Sequence, residues 1–358
     1  MEYNILAINP GSTSTKIAVY ENQVEIISTT INTPPSLENF NNDIGEYDST
    51  KSLVLNFLKE KNYNINKLSA VVGRGGMLPP VKSGAYLVND MMIDRLKNRP
   101  IITHASNLGA IIAYEIAKPL NINAYIYDSV AVDELSDIAR ISGLLDIPRI
   151  SLSHALNSRA MAIKAAKLNN KEYKNMNIIV AHLGGGISIS LHSYGKMIDL
   201  VSDDEGPFSP ERSGRVPCGH FMDLCFSNKY TYKEIKSKLR GTGGLYSYLN
   251  TKDTIKVQNM ILNGDEKAKL IFEAMGYQIA KGIGELATVV DGQIDCIVLT
   301  GGMAHSNMLT SFVEKKISFI SKVIILPGEN ELESLAFGVL RVLRKEEKAR
   351  EYIEKADI

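Results

Sequence analysis

ILAINPGSTSTKIAVY, residues 5–20, is an apolar β-type run, a turn rich in Gly and Ser, and a second β-type run. Half a chain later IIVAHLGGGISISLH, residues 178–192, has the same form. Each stretch reads as a strand, a phosphate-sized loop and a returning strand. Glycine adopts positive φ cheaply and, lacking Cβ, lets backbone N–H groups approach an anion closely. Two such loops in one chain suggest two related lobes holding one polyphosphate between them.

Working outward, the 358 residues suffice for about two domains with sizeable cores. A hydrophobic content of 44% and a charged content of 22% are ordinary for a globular protein. Lys plus Arg and Asp plus Glu both number 40, so the net charge is zero. No broad electrostatic footprint for nucleic acid or anionic membrane is expected, though a local anion site is compatible with that balance. The first residues enter a strand almost at once, with no leader pattern and no run of 18 apolar residues, which predicts a cytoplasmic protein. Cys218, Cys225 and Cys296 are an odd number without a Cys-x-x-Cys pair, which argues against a disulfide framework. CGHFMDLC at 218–225 fits no common zinc spacing and lacks an evident fourth ligand.

Strand and helix signals alternate along the chain, which predicts an α/β protein. LSAVVG ends at Gly73, INAYIYDS reads as a buried strand ending on Asp128, and NLGAIIAYEIAK from Asn107 has helical periodicity. Carboxylates at the C-terminal ends of strands stand where α/β folds place ligands. Helices are expected from Ser158 to about Leu168 and from Ile271 to Val290. CIVLTGG then makes a third strand-to-Gly turn. Leu332, Leu335, Ala336, Val339, Leu340 and Leu343 follow the spacing of one buried helical face, and the trailing KEEKAREYIEKAD reads as a solvated helical end. The polar cluster before the second hairpin puts the boundary near 140–155: residues 1–148 with 333–358 as one lobe, 149–332 as the other.

NPGSTSTK at 9–16 gathers Ser, Thr, Gly and Lys in one turn, but Lys16 lies beyond it, unlike the Walker loop; an ordinary hairpin remains the alternative. Three glycines at 184–186 are costly in entropy, and a backbone nest for phosphate is a reason for them. TGGMAHSN at 300–307 would set an anion or adenosine phosphate at a helix start. Asp128 and His104 are candidates for chemistry or for caps, and His154 for chemistry or a helix start. Arg212 in PFSPERSGRVP and Arg74 in GRGG stand among chain breakers rather than on regular solvated faces.

NPGSTSTK, GRGG, THASNLG, YDS, SHALNS, AHLGGG, PERSG, TGGMAH and PGENELESLAFG occur in an order and spacing that resemble the acetate and butyrate kinase family, across essentially the whole chain. The likeness is greatest to members acting on butyrate and branched-chain carboxylates. It implies two duplicated actin-like ATPase lobes of ribonuclease H-like type with a nucleotide cleft between them. It also implies ATP or ADP with Mg²⁺ as cofactors, a short-chain carboxylate and its acyl phosphate as partners, and a homo-oligomer of at least two chains. By the same resemblance, Asn9, Ser12, Ser14 and Lys16 form the first phosphate loop, with Asn9 near the metal. His182, Gly184, Gly185 and Gly186 form the second, and Gly301 and Gly302 the adenosine-side turn. Asp128 holds the metal through water, and His104, His154 and Arg212 surround the transferring phosphoryl group. Glu331 is the metal-linked glutamate, with Glu329 and Glu333 close in register. Where acetate kinases carry an arginine three residues before a His-Gly-Gly, this chain has Val71, and Arg74 is the nearby base. Ser153 stands where the family has a bulky aromatic, and the loop before Arg212 is short; both changes would enlarge an acyl pocket, so Arg74 and Ser153 are expected to meet a substrate of about four carbons.

Overall fold

The computed structural model describes residues 1–11, 14–32, 44–102 and 104–354. The chain forms two compact units, Met1–Asp133 with Asn330–Ile358, and Glu134–Glu329. No helix among the described residues is long and apolar enough to cross a membrane.

In the first unit, β1 (Asn4–Pro10), β2 (Ser14–Glu21) and β3 (Val24–Asn32) form an antiparallel meander. β4 (Ala70–Arg74) adds parallel to β1, and β6 (Asn123–Tyr127) parallel to β4. The short β5 (Ala85–Leu87) and the edge strand Arg350–Glu351 complete seven strands. β1 is buried along its whole length, so it carries a continuous apolar run rather than an alternating one. Ile5, Leu6 and Ile8 have no exposed surface, and such side chains each stabilise the fold by about 1.5–3 kcal/mol.

The second unit repeats the plan. β7 (Asn177–Leu183), β8 (Ile187–Ser193) and β9 (Lys196–Val201) form the meander, and β10 (Cys296–Gly301) and β11 (Val323–Pro327) add in parallel. Both sheets therefore share the order β6-β4-β1-β2-β3 or β11-β10-β7-β8-β9. Even the irregularity is duplicated: a β-bulge follows Val19 in one and Leu191 in the other, each four residues past the last β-ladder pair, at Thr15 and Ile187. Helix Glu266–Ala287 lays Phe272, Met275, Ile279 and Ile283 on the second sheet. Gly276 and Gly282 admit Phe312 and Ile189 side chains close to its axis.

One helix of each unit is exchanged along the chain. Ala155–Leu168 follows β6 in sequence yet packs on β7 and β10; Glu331–Leu343 follows β11 yet packs on β1 and β4. The latter buries Leu335, Ala336, Val339 and Leu340 of the face expected from the sequence, with Leu332 and Leu343 at its ends only half-buried.

The two compact units divide at Asp133/Glu134 and at Glu329/Asn330. Residues 134–150 belong to the second unit because Ser136 N–H donates to Ile198 O at 2.9 Å and the Arg149 guanidinium binds Ala139 O, Leu200 O, Asp199 and Glu205. One expectation needs correction: among its described residues the terminal segment is not a solvated helix, since Lys345 takes φ +63°, Arg350–Glu351 pairs with Tyr86–Leu87, and Tyr352 is buried.

Candidate functional site

The strand ends of the first unit gather one charged set. Asn9, at the end of β1, donates its amide to Glu331 Oε2, while Arg74 Nη1, at the end of β4, donates to Asn9 Oδ1 at 3.3 Å and pairs with Glu331 Oε1 at 3.1 Å. Glu331 opens its helix, where a carboxylate is favoured by the N-terminal dipole. Of the three nearby glutamates, it is Glu331 that meets Asn9 and Arg74; Glu329 offers its carbonyl to Asn157, and Glu333 acts electrostatically on Tyr20. Among the described residues, the Nε and Nη2 edge of Arg74 has no protein acceptor. Lys16 lies directly across the β1–β2 ladder from Asn9, and strand alternation puts Ser14 on the same face. Gly11 N–H closes the turn on Ser14 O at 2.8 Å; Ser12 lies outside the described residues.

Asp128 follows β6, beside the end of β4. It is buried, takes φ +40°, and accepts Gly84 N–H at 2.7 Å. A non-glycine residue held at positive φ is a strain that persists only where its surroundings fix it. Asp128 and Glu331 are oxygen donors of the type Mg²⁺ takes, one or two carboxylates completed by phosphate oxygens and water. Among the described residues, no three His, Cys, Asp or Glu side chains are gathered for a metal. His104 Nδ1 accepts Ser106 N–H at 3.1 Å, so the neutral ring carries its proton on Nε2. Desolvation, with the Arg74 charge beside it, holds its pKa below the ordinary value and favours that neutral form.

The second unit gathers imidazoles, glycines and a guanidinium. His182, at the end of β7, stacks on His154 with centroids 3.9 Å apart. His154 precedes helix Ala155–Leu168, but its ring does not cap it; Nδ1 meets Ser188 Oγ at 2.9 Å. Asn157 donates Nδ2 to Glu329 O, which leaves Oδ1 to accept from His182 Nδ1 at 2.9 Å. His182 Nε2 then faces the glycine turn, where a Cβ on Gly184 would lie 2.9 Å from it. Ser153 Oγ contacts Met197 Sδ at 3.5 Å.

Arg212 packs on that turn. A Cβ on Gly186 would stand 2.5 Å from Arg212 Nη1, so glycine is required for the approach. Ser209 ties the two loops together, donating to Gly185 O at 2.5 Å and accepting Arg212 N–H at 3.2 Å. Burial, then Arg240, brings the Arg212 pKa down to about 10, so it stays charged at neutral pH. Gly301 has φ +89°, and its Cβ would lie 2.5 Å from Leu183 O; β10 is thereby pressed against the start of the glycine turn. Gly302 faces open space and begins the turn before helix Asn307–Ile317.

Within the first unit, then, Asn9, Arg74 and Glu331 are joined by direct contacts, with Lys16 across the ladder from Asn9 and Asp128 one residue past the partner of Arg74; the second unit brings together His154, His182, Gly184–Gly186 and Arg212. Sequence reasoning missed Asn157, Ser188, Asp203 and Arg240. Asp203 pairs with Arg212 Nη1 and with Arg240 at 2.8 Å. Its signal in the sequence is DDE just beyond β9, an acidic run at a strand end.

A model of the acetokinase family matches residues 152–324, all within the second unit. The chain is 50% identical over 355 residues to butyrate kinase 2 of Clostridium acetobutylicum, covering 98% of this chain and 100% of that protein. Butyrate kinase 1 of the same organism is 50% identical over 353 residues, covering 98% and 99%. The crystal structure of Porphyromonas gingivalis acetate kinase shares the fold with a TM-score of 0.79 at 19% identity, over 94% of this chain and 99% of that one. The duplicated meanders, the loops they carry and this identity with two butyrate kinases along nearly the whole chain place the protein in the acetokinase family.

Proposed function

We propose that the protein is a butyrate kinase, transferring the γ-phosphoryl group of ATP to butyrate or a branched short-chain acid such as isobutyrate, reversibly and by direct in-line attack. The observation that carries this reading is a pair of arginines, one in each unit, each anchored to protein through Nη1: Arg74 on Asn9 and Glu331, Arg212 on Asp203. A guanidinium so anchored keeps a donor edge for a carboxylate or a phosphoryl group. The 50% identity with butyrate kinases supports the choice of acid.

A carboxylate is already deprotonated near pH 7, so no general base is needed. A carboxylate oxygen bonds to the γ-phosphorus as the bond to the leaving oxygen of ADP breaks, and no proton moves. The obstacle is repulsion, since two unit negative charges about 4 Å apart cost roughly 4 kcal/mol at an effective dielectric near 20. Arg74 orients the acid. Arg212, the Nε2–H of His104 and the His154–His182 pair stabilise charge developing on the phosphoryl oxygens. Lys16, Ser14 and the amides of Gly184–Gly186 cradle the nucleotide phosphates, and Gly302 admits the adenosine side. Mg²⁺, when bound, supplies charge neutralisation of the nucleotide phosphates; Asp128 and Glu331 would hold it. Ser153, small beside Met197, leaves room for a four-carbon acyl chain.

We also propose a cytoplasmic homo-oligomer. Ile138, Ile141, Leu144, Leu145, Ile147 and Ile150 are each at least 58% exposed in a segment that Arg149 holds in place. A zero net charge sets no bulk repulsion against a second copy covering that face.

The function is tested by trapping acyl phosphate with hydroxylamine across acids from acetate to valerate, including isobutyrate, with hexoses alongside. Butyrate or isobutyrate should give the highest kcat/KM. Hexose phosphorylation without hydroxamate would reassign Asp128 as a base and the protein as a hydroxyl kinase.

A further inference from the structure

We propose that Asp203 is the positioning residue of Arg212, with Arg240 holding Asp203 in place. The inference rests on the reading of Arg212 as a group that meets the transferring phosphoryl.

Asp203 stands two residues beyond β9 with its carboxylate divided between two guanidinium groups: one oxygen on Arg212 Nη1, the other on Arg240 Nη2 at 2.8 Å. Its side chain is 13% exposed, against 55% for Asp204, which also pairs with Arg240. Backbone bonds lock the loops that carry the two arginines: Arg212 and Arg240 form an antiparallel bridge, Ser213 N–H donates to Leu239 O at 3.0 Å, and Gly241 N–H to Glu211 O at 2.8 Å.

The side chains alone are free to choose, and there the charges decide. Arg212 is pressed between Gly186 and Asp203, with Arg240 close enough to lower its proton affinity. Without the carboxylate, two cations on paired loops would face each other, and the half-buried one would be pushed away from the glycine turn. Asp203 therefore does two things: it neutralises that repulsion, and it takes Nη1 so that the remaining fork of Arg212 points elsewhere. Displacing a transition-state donor by about 1 Å can lower a rate on the order of 10²-fold.

The test is a kinetic cycle on the full chain with ATP, Mg²⁺ and butyrate. Asp203→Asn keeps size and removes charge; kcat should fall on the order of 10²-fold with the KM for ATP nearly unchanged. In an Arg212→Ala background the same substitution should have no further effect on kcat, since it acts through the missing side chain. Asp204→Asn, at a carboxylate that among the described residues pairs with Arg240 alone, should leave kcat within about twofold of wild type. Should Asp203→Asn fail to fold, Arg240→Gln serves, with a smaller loss of kcat that also vanishes in the Arg212→Ala background. Equal losses in both backgrounds would overturn the proposal, because Asp203 would then act independently. An unchanged kcat in Asp203→Asn beside a crippled Arg212→Ala would overturn it while sparing the role of Arg212. Full activity in Arg212→Ala would remove both.

Discussion

The two hairpins share a backbone and differ in everything it presents. Asn9 faces Lys16 across the first ladder, and His182 faces Ser188 at the corresponding position of the second. Asn9 reaches a carboxylate in the first turn of the exchanged helix, and His182 reaches Asn157 in the first turn of its counterpart. One hairpin turn mixes Pro, Gly, Ser and Thr; the other is three glycines. Past the bulge, Tyr20 stands in one and His192 in the other. The ladder fixes where side chains stand, and their identity turns one strand end into a charged set around Arg74 and the other into an imidazole and glycine cradle under Arg212. In the proposed reaction Arg74 addresses the acid, and Asp128 and Glu331 the metal, whereas Arg212 and the stacked imidazoles of the second set address the moving phosphoryl.

The largest effect should come from the second cradle. Arg212→Ala is expected to lower kcat about 10³-fold with a much smaller change in the KM for ATP, because a charge that develops in the transition state loses its partner. Steady-state kinetics with butyrate checks this, and an unchanged kcat would erase the difference drawn between the two arginines. Next in size is the backbone that supports the cradle. Gly301→Ala forces a Cβ against Leu183 O, 2.5 Å away, at a φ that disfavours any L side chain, and should destabilise by about 3 kcal/mol in urea unfolding. Unfolding midpoints equal to wild type would mean that the contact relaxes freely.

Arg74→Ala sharpens the comparison from the other side. Loss of a charge-assisted pair should raise the KM for the carboxylate about 10- to 100-fold and reduce kcat less. If kcat fell as for Arg212→Ala with KM unchanged, the two arginines would share one role and the division between the units would be lost.

Much of this was legible in the chain. The hairpins announce themselves because a turn that must approach an anion needs small residues, and the flanking strands, buried on both faces, must be apolar. Helix Glu331–Leu343 was readable from the spacing of its buried face. What stayed hidden depends on partners far away in sequence. Nothing about Arg149 says that it binds the carbonyls of Ala139 and Leu200 and so carries residues 134–150 into the second unit. Nothing in KEEKAREYIEKAD tells of the edge of β5, which draws Arg350–Glu351 into a strand against its helical composition. Asp203 was obscured for the same reason: an acidic triplet has no period, and its meaning lies in two arginines on another loop.

The smallest expected effect concerns the position beyond the bulge, where the two hairpins should differ in their response to acid. His192 is fully buried between Tyr173 OH at 2.8 Å and Ser190 Oγ at 3.0 Å, and burial pushes its pKa down to about 3. The unfolded chain protonates an ordinary histidine near 6.5, so between about pH 6.5 and 3 it binds a proton that the native state refuses. Stability contributed at this site is therefore intact above neutrality and falls as pH drops, by roughly 1.4 kcal/mol per unit and about 2 kcal/mol from pH 7 to 5. Tyr20, the counterpart, has no titration in that range, because a phenol ordinarily titrates near 10 and burial with Glu25 raises it further. His192→Gln should be less stable than wild type at pH 7 yet lose about 2 kcal/mol less between pH 7 and 5, read from urea unfolding at both values. Equal losses in the two proteins would mean that His192 takes up its proton in the folded state, and the second hairpin would be no more acid-sensitive than the first.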